Sequence, residues 1–318
     1  MRCKHIRFSK VAGIIAGVLI TLFTLGFEGS FSPTWAVECG DTIGPGQTVV
    51  LDHSIACDVD PILTVVGPAI LNLNGFTLAC VEQNNDGILV TGERAVIFRG
   101  MIENCNRGIH VRGDGHHKLK DLTLDQNDHG IRVRSGSDKN YMIKNTVLNG
   151  NRGIRVESDY NHLINNFAEL NSKGIRIEGE YNKLVGNEAD DNSSENFQIK
   201  GSHNRLVNNT ADGGDEECFL IEGDNNSLVN NSARDCAYGF VLSDEDGAGD
   251  NNTILNCKAI DNGIDGIVAR DGATDNSITH NKAWDNAAFD LHDENANCDD
   301  NVWRWNKFGS SQPDDCIR

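Results

Sequence analysis

The chain has 318 residues, with 28 Lys and Arg against 47 Asp and Glu, ten Cys, 33 Gly and five Pro. A formal net charge of −19 excludes nucleic acid as the main partner, because a phosphate-binding surface needs a basic excess. Only one stretch is long and apolar enough to cross a bilayer, which excludes a polytopic membrane protein.

That stretch opens the chain. Arg2, Lys4, Arg7 and Lys10 precede an uncharged run over residues 11–27, and Thr34-Trp35-Ala36 offers small side chains before a cut. This pattern predicts a signal peptide over 1–36, with an uncleaved anchor as the alternative, and hence a secreted or periplasmic protein with no membrane span after its removal. Cleavage takes away four basic groups and one acid, leaving 24 basic against 46 acidic side chains and a net charge of −22. Nine cysteines remain, which fits an oxidising compartment.

Residues 37–66 break any regular pattern and predict an N-terminal cap, stapled by Cys39 and Cys57. From 67 to 295 a unit of about 22 residues repeats, with starts at Gly87, Gly108, Gly130, Gly153, Gly174, Asn196, Cys218, Gly239, Gly266 and Ala288. Each unit holds three short alternations: Gly153-Ile154-Arg155-Val156, then Asn161-His162-Leu163-Ile164, then one centred on Ala168. Period-two alternation reads as a strand, and nothing between the alternations is long enough for a helix. Units without hairpin turns cannot form an antiparallel meander, so each strand must lie on its own copy in the next coil. Parallel crossovers are right-handed. The predicted fold is therefore all-β: a right-handed parallel β-helix of about ten coils, three strands per coil, capped at both ends. Asn145, Asn166, Asn187, Asn209, Asn231 and Asn281 share one register, so their amides should stack coil over coil. Residues 296–318 read as a C-terminal cap stapled by Cys298 and Cys316, while Cys80 and Cys105 are placed to pair between coils. Cys218, Cys236 and Cys257 leave one thiol over, and the spacing does not say which.

These coils resemble the β-helix repeats of pectin-lyase-like proteins, including the NosD-type periplasmic proteins. Cys39-Gly40-Asp41-Thr42-Ile43, Leu71-Asn72-Leu73-Asn74-Gly75 and the ending through Asp290-Leu291-His292-Asp293, Asn301-Val302-Trp303 and Cys316-Ile317 resemble secreted bacterial members of that group. The resemblance implies carbohydrate work outside the cytoplasm, as lyase, hydrolase, epimerase or plain binder, and it is specific for fold rather than activity.

The outward column of the first strand reads His110, Arg132, Arg155, Arg176, Gln198, Leu220, Val241 and Val268, and a second column contains Glu157 and Glu178. One reading is a self-neutralised surface; the other is a basic stripe whose forked guanidinium groups grip an extended uronate polymer. The expected function is binding or scaffolding of an acidic extracellular polysaccharide by a monomer through Arg132, Arg155, Arg176, Glu157 and Glu178. The alternative is a lyase or C5-epimerase on that face. His110 is a candidate base, and Asp290, His292 and Asp293 form a motif similar to the Asp-Pro-His-Asp of mannuronan C5-epimerases, with Leu291 in place of Pro. Asp244, Asp246 and Asp250, on a coil five residues longer than its neighbours, suit Ca²⁺, with a solvated acidic loop as the alternative. Three Met and no His-x-x-x-His argue against a dedicated copper carrier.

Overall fold

The computed structural model describes residues 36–243, 249–298 and 300–317. Residues 1–35 of the predicted signal peptide, and Asp244 and Asp246 of the predicted Ca²⁺ loop, lie outside the described residues.

The chain coils as a parallel β-solenoid. One sheet holds thirteen described strands, from Thr42–Ile43 to Ser311–Gln312, each hydrogen-bonded in parallel to the equivalent strand one coil on. Two shorter strands per coil complete the wall: His162–Ile164 pairs with Lys183–Val185, and Phe167–Glu169 with Glu188–Asp190. The registers match the sequence repeat, with Ile154 opposite Ile175 and Arg155 opposite Arg176. Strands at both ends extend the solenoid beyond the regular units, because Thr42 pairs with Thr64, Val49 with Leu71 and Ser277 with Val302.

Alternation fixes which side chains turn inward. Ile154, Ile175, Phe197, Phe219 and Phe240 are buried from the first sheet, and Leu163, Leu184, Leu206 and Ala168, Ala189, Ala211 from the other two strands. The three phenyl rings stack at 4.6 and 4.7 Å, the rise of one coil. Where a unit opens with glycine, as at Gly153 and Gly174, this stacking leaves little room for a side chain. A Cβ on Gly153 would stand 2.5 Å from the carbonyl oxygen of Gly174, and one on Gly174 2.5 Å from that of Asn196.

Each coil turns three corners, and each corner uses a residue in the left-handed region followed by a ladder position; in one coil these are Tyr160, Asn165 and Leu170, before Asn161, Asn166 and Asn171. The predicted ladder is present. Asn145 donates from its backbone and its amide to Asn166 Oδ1 at 3.0 Å, and Asn166, Asn187 and Asn209 repeat the pattern. A second ladder runs through Asn140, Asn161, Asn182, Asn204, Asn226, Asn252 and Asn276, and a third includes Asn171, Asn192, Asn262 and Asn286. Buried amides thereby satisfy the backbone N–H groups that sharp corners would otherwise strand.

Disulfides join Cys39–Cys57, Cys80–Cys105 and Cys298–Cys316, as the spacing predicts. Cys218 pairs with Cys236, which leaves Cys257 as the buried free thiol. Cys257 occupies a ladder position, receiving the Asn231 N–H on its sulfur at 3.4 Å and donating its own N–H to Asn281 Oδ1 at 2.8 Å. No described helix is long and apolar enough to cross a membrane.

Candidate functional site

The outward column of the first sheet lies as its spacing predicts, with His110, Arg132, Arg155, Arg176 and Gln198 in register on successive coils. Backbone pairing therefore holds three guanidinium groups about 4.8 Å apart, a repulsive arrangement by itself. Glu157 and Glu178, two residues beyond Arg155 and Arg176, relieve it. Glu157 accepts from Arg132 at 3.0 Å and forms ion pairs with Arg155 at 3.1 Å and Arg134 at 3.5 Å; Glu178 accepts from Arg155 at 3.1 Å and Arg176 at 2.5 Å. The three arginines are only 17–20% exposed. Burial pushes the Glu178 carboxyl up, but the Arg155 hydrogen bond and the Arg176 charge more than offset it and hold it below its ordinary value. Four guanidinium groups against two carboxylates leave this part of the face with two positive charges in excess.

The acid–base candidates separate in space. His110 is 1% exposed, its Nδ1 2.9 Å from Asp86, and its Nε2 accepts from Arg112 at 3.0 Å. Asp86 also takes Arg107 at 2.6 Å, so His110 is buried with both ring nitrogens engaged. Asp290 and Asp293 point into the closing coil. Asp290 accepts from Gly309 and Ser310, and Asp293 from Asn295, Asn301 and the Trp303 indole. His292 alone of the motif faces outward, in register with Val268, with Nδ1 2.9 Å from Asp265. That hydrogen bond raises its pKa against the opposing effect of burial. Asp250 spends Oδ1 on the Thr274 N–H at 2.7 Å and hydroxyl at 3.2 Å, clipping one coil to the next. Among the described residues, no three His, Cys, Asp or Glu side chains converge as a metal would need.

Residues 67–210 match the family model described as periplasmic copper-binding protein (NosD), and residues 159–301 the right-handed β-helix region. Between them the two matches cover residues 67–301 and, with the coil geometry, give the fold as a right-handed parallel β-helix with NosD-like repeats. No curated protein matches this β-helix. Among solved structures it resembles the catalytic unit of an α-1,3-glucanase from Streptomyces thermodiastaticus, with TM-score 0.58 and 12% identity over 87% of this chain and 63% of that one. It also resembles the A-module of a mannuronan C-5 epimerase from Azotobacter vinelandii, with TM-score 0.56 and 11% identity over 86% and 88% of the two chains. A periplasmic alginate epimerase follows at TM-score 0.53 and 12% identity, over 85% and 72%. The chain spans 55% of a matched structure, the Dettilon tailspike protein. At these identities the likeness is one of fold.

Two features of the β-helix escape sequence reasoning. Tyr160, Tyr181 and His203 hold one corner of three successive coils in the left-handed region, where the same corner elsewhere uses Asn225, Asn251 and Asp275. Their rings stack at 5.1 and 4.9 Å and the tyrosines stay about half exposed, at 47% and 46%. The second feature is a groove over the later coils of the first sheet. The signal for it was the change of the outward column to Leu220, Val241 and Val268, but its walls also take Ile264 and Asp271 from loops that the repeat does not align.

Proposed function

We propose that this protein is exported and binds an extended acidic polysaccharide along the outward face of the first sheet, without transforming it. The observation that carries the reading is the Arg132–Arg155–Arg176 line, interlocked by Glu157 and Glu178. Its charges are fixed at the coil rise along the solenoid axis, with one in excess, or two with the adjoining Arg134, on an otherwise acidic protein. A polymer with repeating carboxylates can follow such a line, whereas a small anion meets only one or two guanidinium groups. Every arginine of the line has a glutamate partner, which favours a preformed binding surface over a catalytic groove. The carbohydrate-acting relatives of the same fold support a glycan as partner, and four disulfides support an oxidising compartment.

Replacing all three arginines with glutamine tests it. Retention of alginate or polygalacturonate at low salt should drop, and wild-type retention should fall as salt screens the stripe over about 8–10 Å. Unaltered retention by the triple variant would refute the site. A second reading, lyase or epimerase chemistry, has one observation in its favour: His292 is outward, partly exposed and oriented by Asp265. Unsaturated or epimerised products from a uronate polymer, lost in His292→Gln, would establish it.

A further inference from the structure

Beyond Gln198 the outward column of the first sheet changes chemistry. Leu220, Val241 and Val268 follow one another in register and form a small apolar cluster outside the main core, with Tyr238 packed on it. The Arg270 guanidinium lies over the Tyr238 ring, 4.7 Å from its centre. Above Leu220 and Val241 opens a groove of about 700 Å³, within the size range of small-ligand sites. Tyr238, Ile264 and Ala237 give it an apolar wall.

The rim has one sign of charge. Glu195, Asp215, Glu216, Glu217, Asp271 and Glu294 line the groove, and Arg270 is the one cation among its described lining residues. Some of these acids are already engaged. Lys173 and Ser194 hold Glu195, Ser194 also reaches Glu216 at 2.6 Å, and Arg270 lies 3.4 Å from Glu294. Glu217 sits half-buried beside Glu195 and Glu216, and burial followed by those two charges pushes its carboxyl above the ordinary range. Six carboxylates against Arg270 and the Lys173 ammonium on Glu195 leave the groove short of four positive charges, which a cationic ligand can supply.

We propose that this groove binds a linear glycan carrying free amino groups, of the glucosamine type. An amino sugar meets both halves of the site. The C–H face of its pyranose ring lies on Tyr238, Ile264 and Leu220, and its ammonium group reaches Glu217 or Asp271. Leu220 and Val241 stand one coil apart, so the groove runs along the solenoid axis and suits a chain rather than a single sugar. Uronates are repelled here, which separates this site from the arginine line. A flexible cationic peptide would gain little from the apolar wall and would find acids anywhere on a surface of net −19. The inference does not depend on the arginine reading.

Titration calorimetry on the purified protein decides it, with a fully deacetylated β-1,4-linked glucosamine tetramer, its N-acetylated counterpart and tetralysine. The deacetylated tetramer should bind, and acetylation should weaken it about tenfold or more, the worth of one charge-assisted contact. Glu217→Gln and, separately, the exposed-loop variant Asp271→Asn should each weaken it similarly, whereas Arg155→Gln should leave it unchanged. Absence of binding at millimolar tetramer, equal binding of the acetylated form, or indifference to both carboxylate variants would overturn the proposal. Tetralysine binding as tightly as the sugar would assign the groove to basic peptides and overturn it equally.

Discussion

Asn209→Ala removes one rung from the middle of a ladder, and its cost follows from the hydrogen bonds around it. Asn209 Oδ1 accepts the backbone N–H of Asn187 at 2.9 Å and its amide at 3.0 Å, while Asn209 Nδ2 donates to the Leu184 carbonyl at 3.1 Å and to Asn231 Oδ1 at 3.0 Å. The Asn187 amide keeps the Leu163 carbonyl, and Asn231 Oδ1 keeps the Asn209 N–H. One group is therefore stranded, the Asn187 N–H, on a residue 1% exposed, while the Leu184 carbonyl keeps its place in the strand pairing of Leu184 with Leu206. At about 1–3 kcal/mol for a buried group left unsatisfied, the variant should lose about 2 kcal/mol. Urea unfolding measures the loss, and hydrogen exchange at the Asn187 amide locates it. Asn230→Gly is the control. It removes a side chain whose described partner is the exposed Asn256 amide, and glycine accepts the left-handed φ of 59°, so it should stay within about 0.5 kcal/mol. A loss below about 1 kcal/mol in Asn209→Ala, or equal losses in the two variants, would refute the view that the ladder holds the corners together.

His117 occupies a position in the second ladder, taking the Ala95 N–H on Nδ1 and donating its own N–H to Asn140, and burial pushes its pKa down to about 4. A depressed histidine favours the folded state only while neutral. Its contribution is full above about pH 6.5 and is lost as pH falls from there to about 4, at about 1.4 kcal/mol per unit. His117→Asn should keep the rung and become progressively more stable than wild type across that window, as parallel urea titrations would show. Cys257→Asn should restore the interrupted ladder and stabilise by about 1–2 kcal/mol, whereas Cys257→Ala leaves the Asn231 N–H unanswered and should destabilise by about as much; thermal melts separate the two. Tyr181→Asn loses two stacked pairs worth about 0.5–1.5 kcal/mol each but relieves a left-handed tyrosine costing about 1–2 kcal/mol, so its melting temperature should barely move. Reduction should expose the residues near Cys39–Cys57 and Cys298–Cys316 to hydrogen exchange before the central coils, which ladders hold independently.

The fold was legible because one period governs everything that a solenoid needs. Ile154 and Ile175 announce the inward column, Asn166 and Asn187 the ladder, and Arg155 and Arg176 the outward line, all at the same spacing. Legibility stops where contacts cross between coils at unequal distances. The Glu157 carboxylate gathers Arg132, Arg134 and Arg155 because side chains lean across strands, which a column list does not convey. Cys257 could not be told from Cys218 and Cys236 by spacing, since its place is decided by ladder register rather than by a neighbouring sulfur. The groove was hidden for a similar reason. Leu220 and Val241 were visible as outward apolar residues, but Ile264 and Asp271 belong to corner loops, whose approach depends on how three coils stack.

The ladders also make the protein's length a modular quantity. In the second ladder Asn161 hands its bonds to Asn182 as Asn140 hands its own to Asn161, so each rung presents the next coil with the same donors and receives the same acceptor. Excising residues 161–181 would bring Asn140 against Asn182 with every corner, strand and inward side chain replaced by an equivalent. Duplicating them would add one coil and one more arginine to the line. A solenoid built this way can lengthen or shorten its outward face by whole coils without redesigning an interface, so on the proposed reading the number of coils would set the length of polymer it can follow.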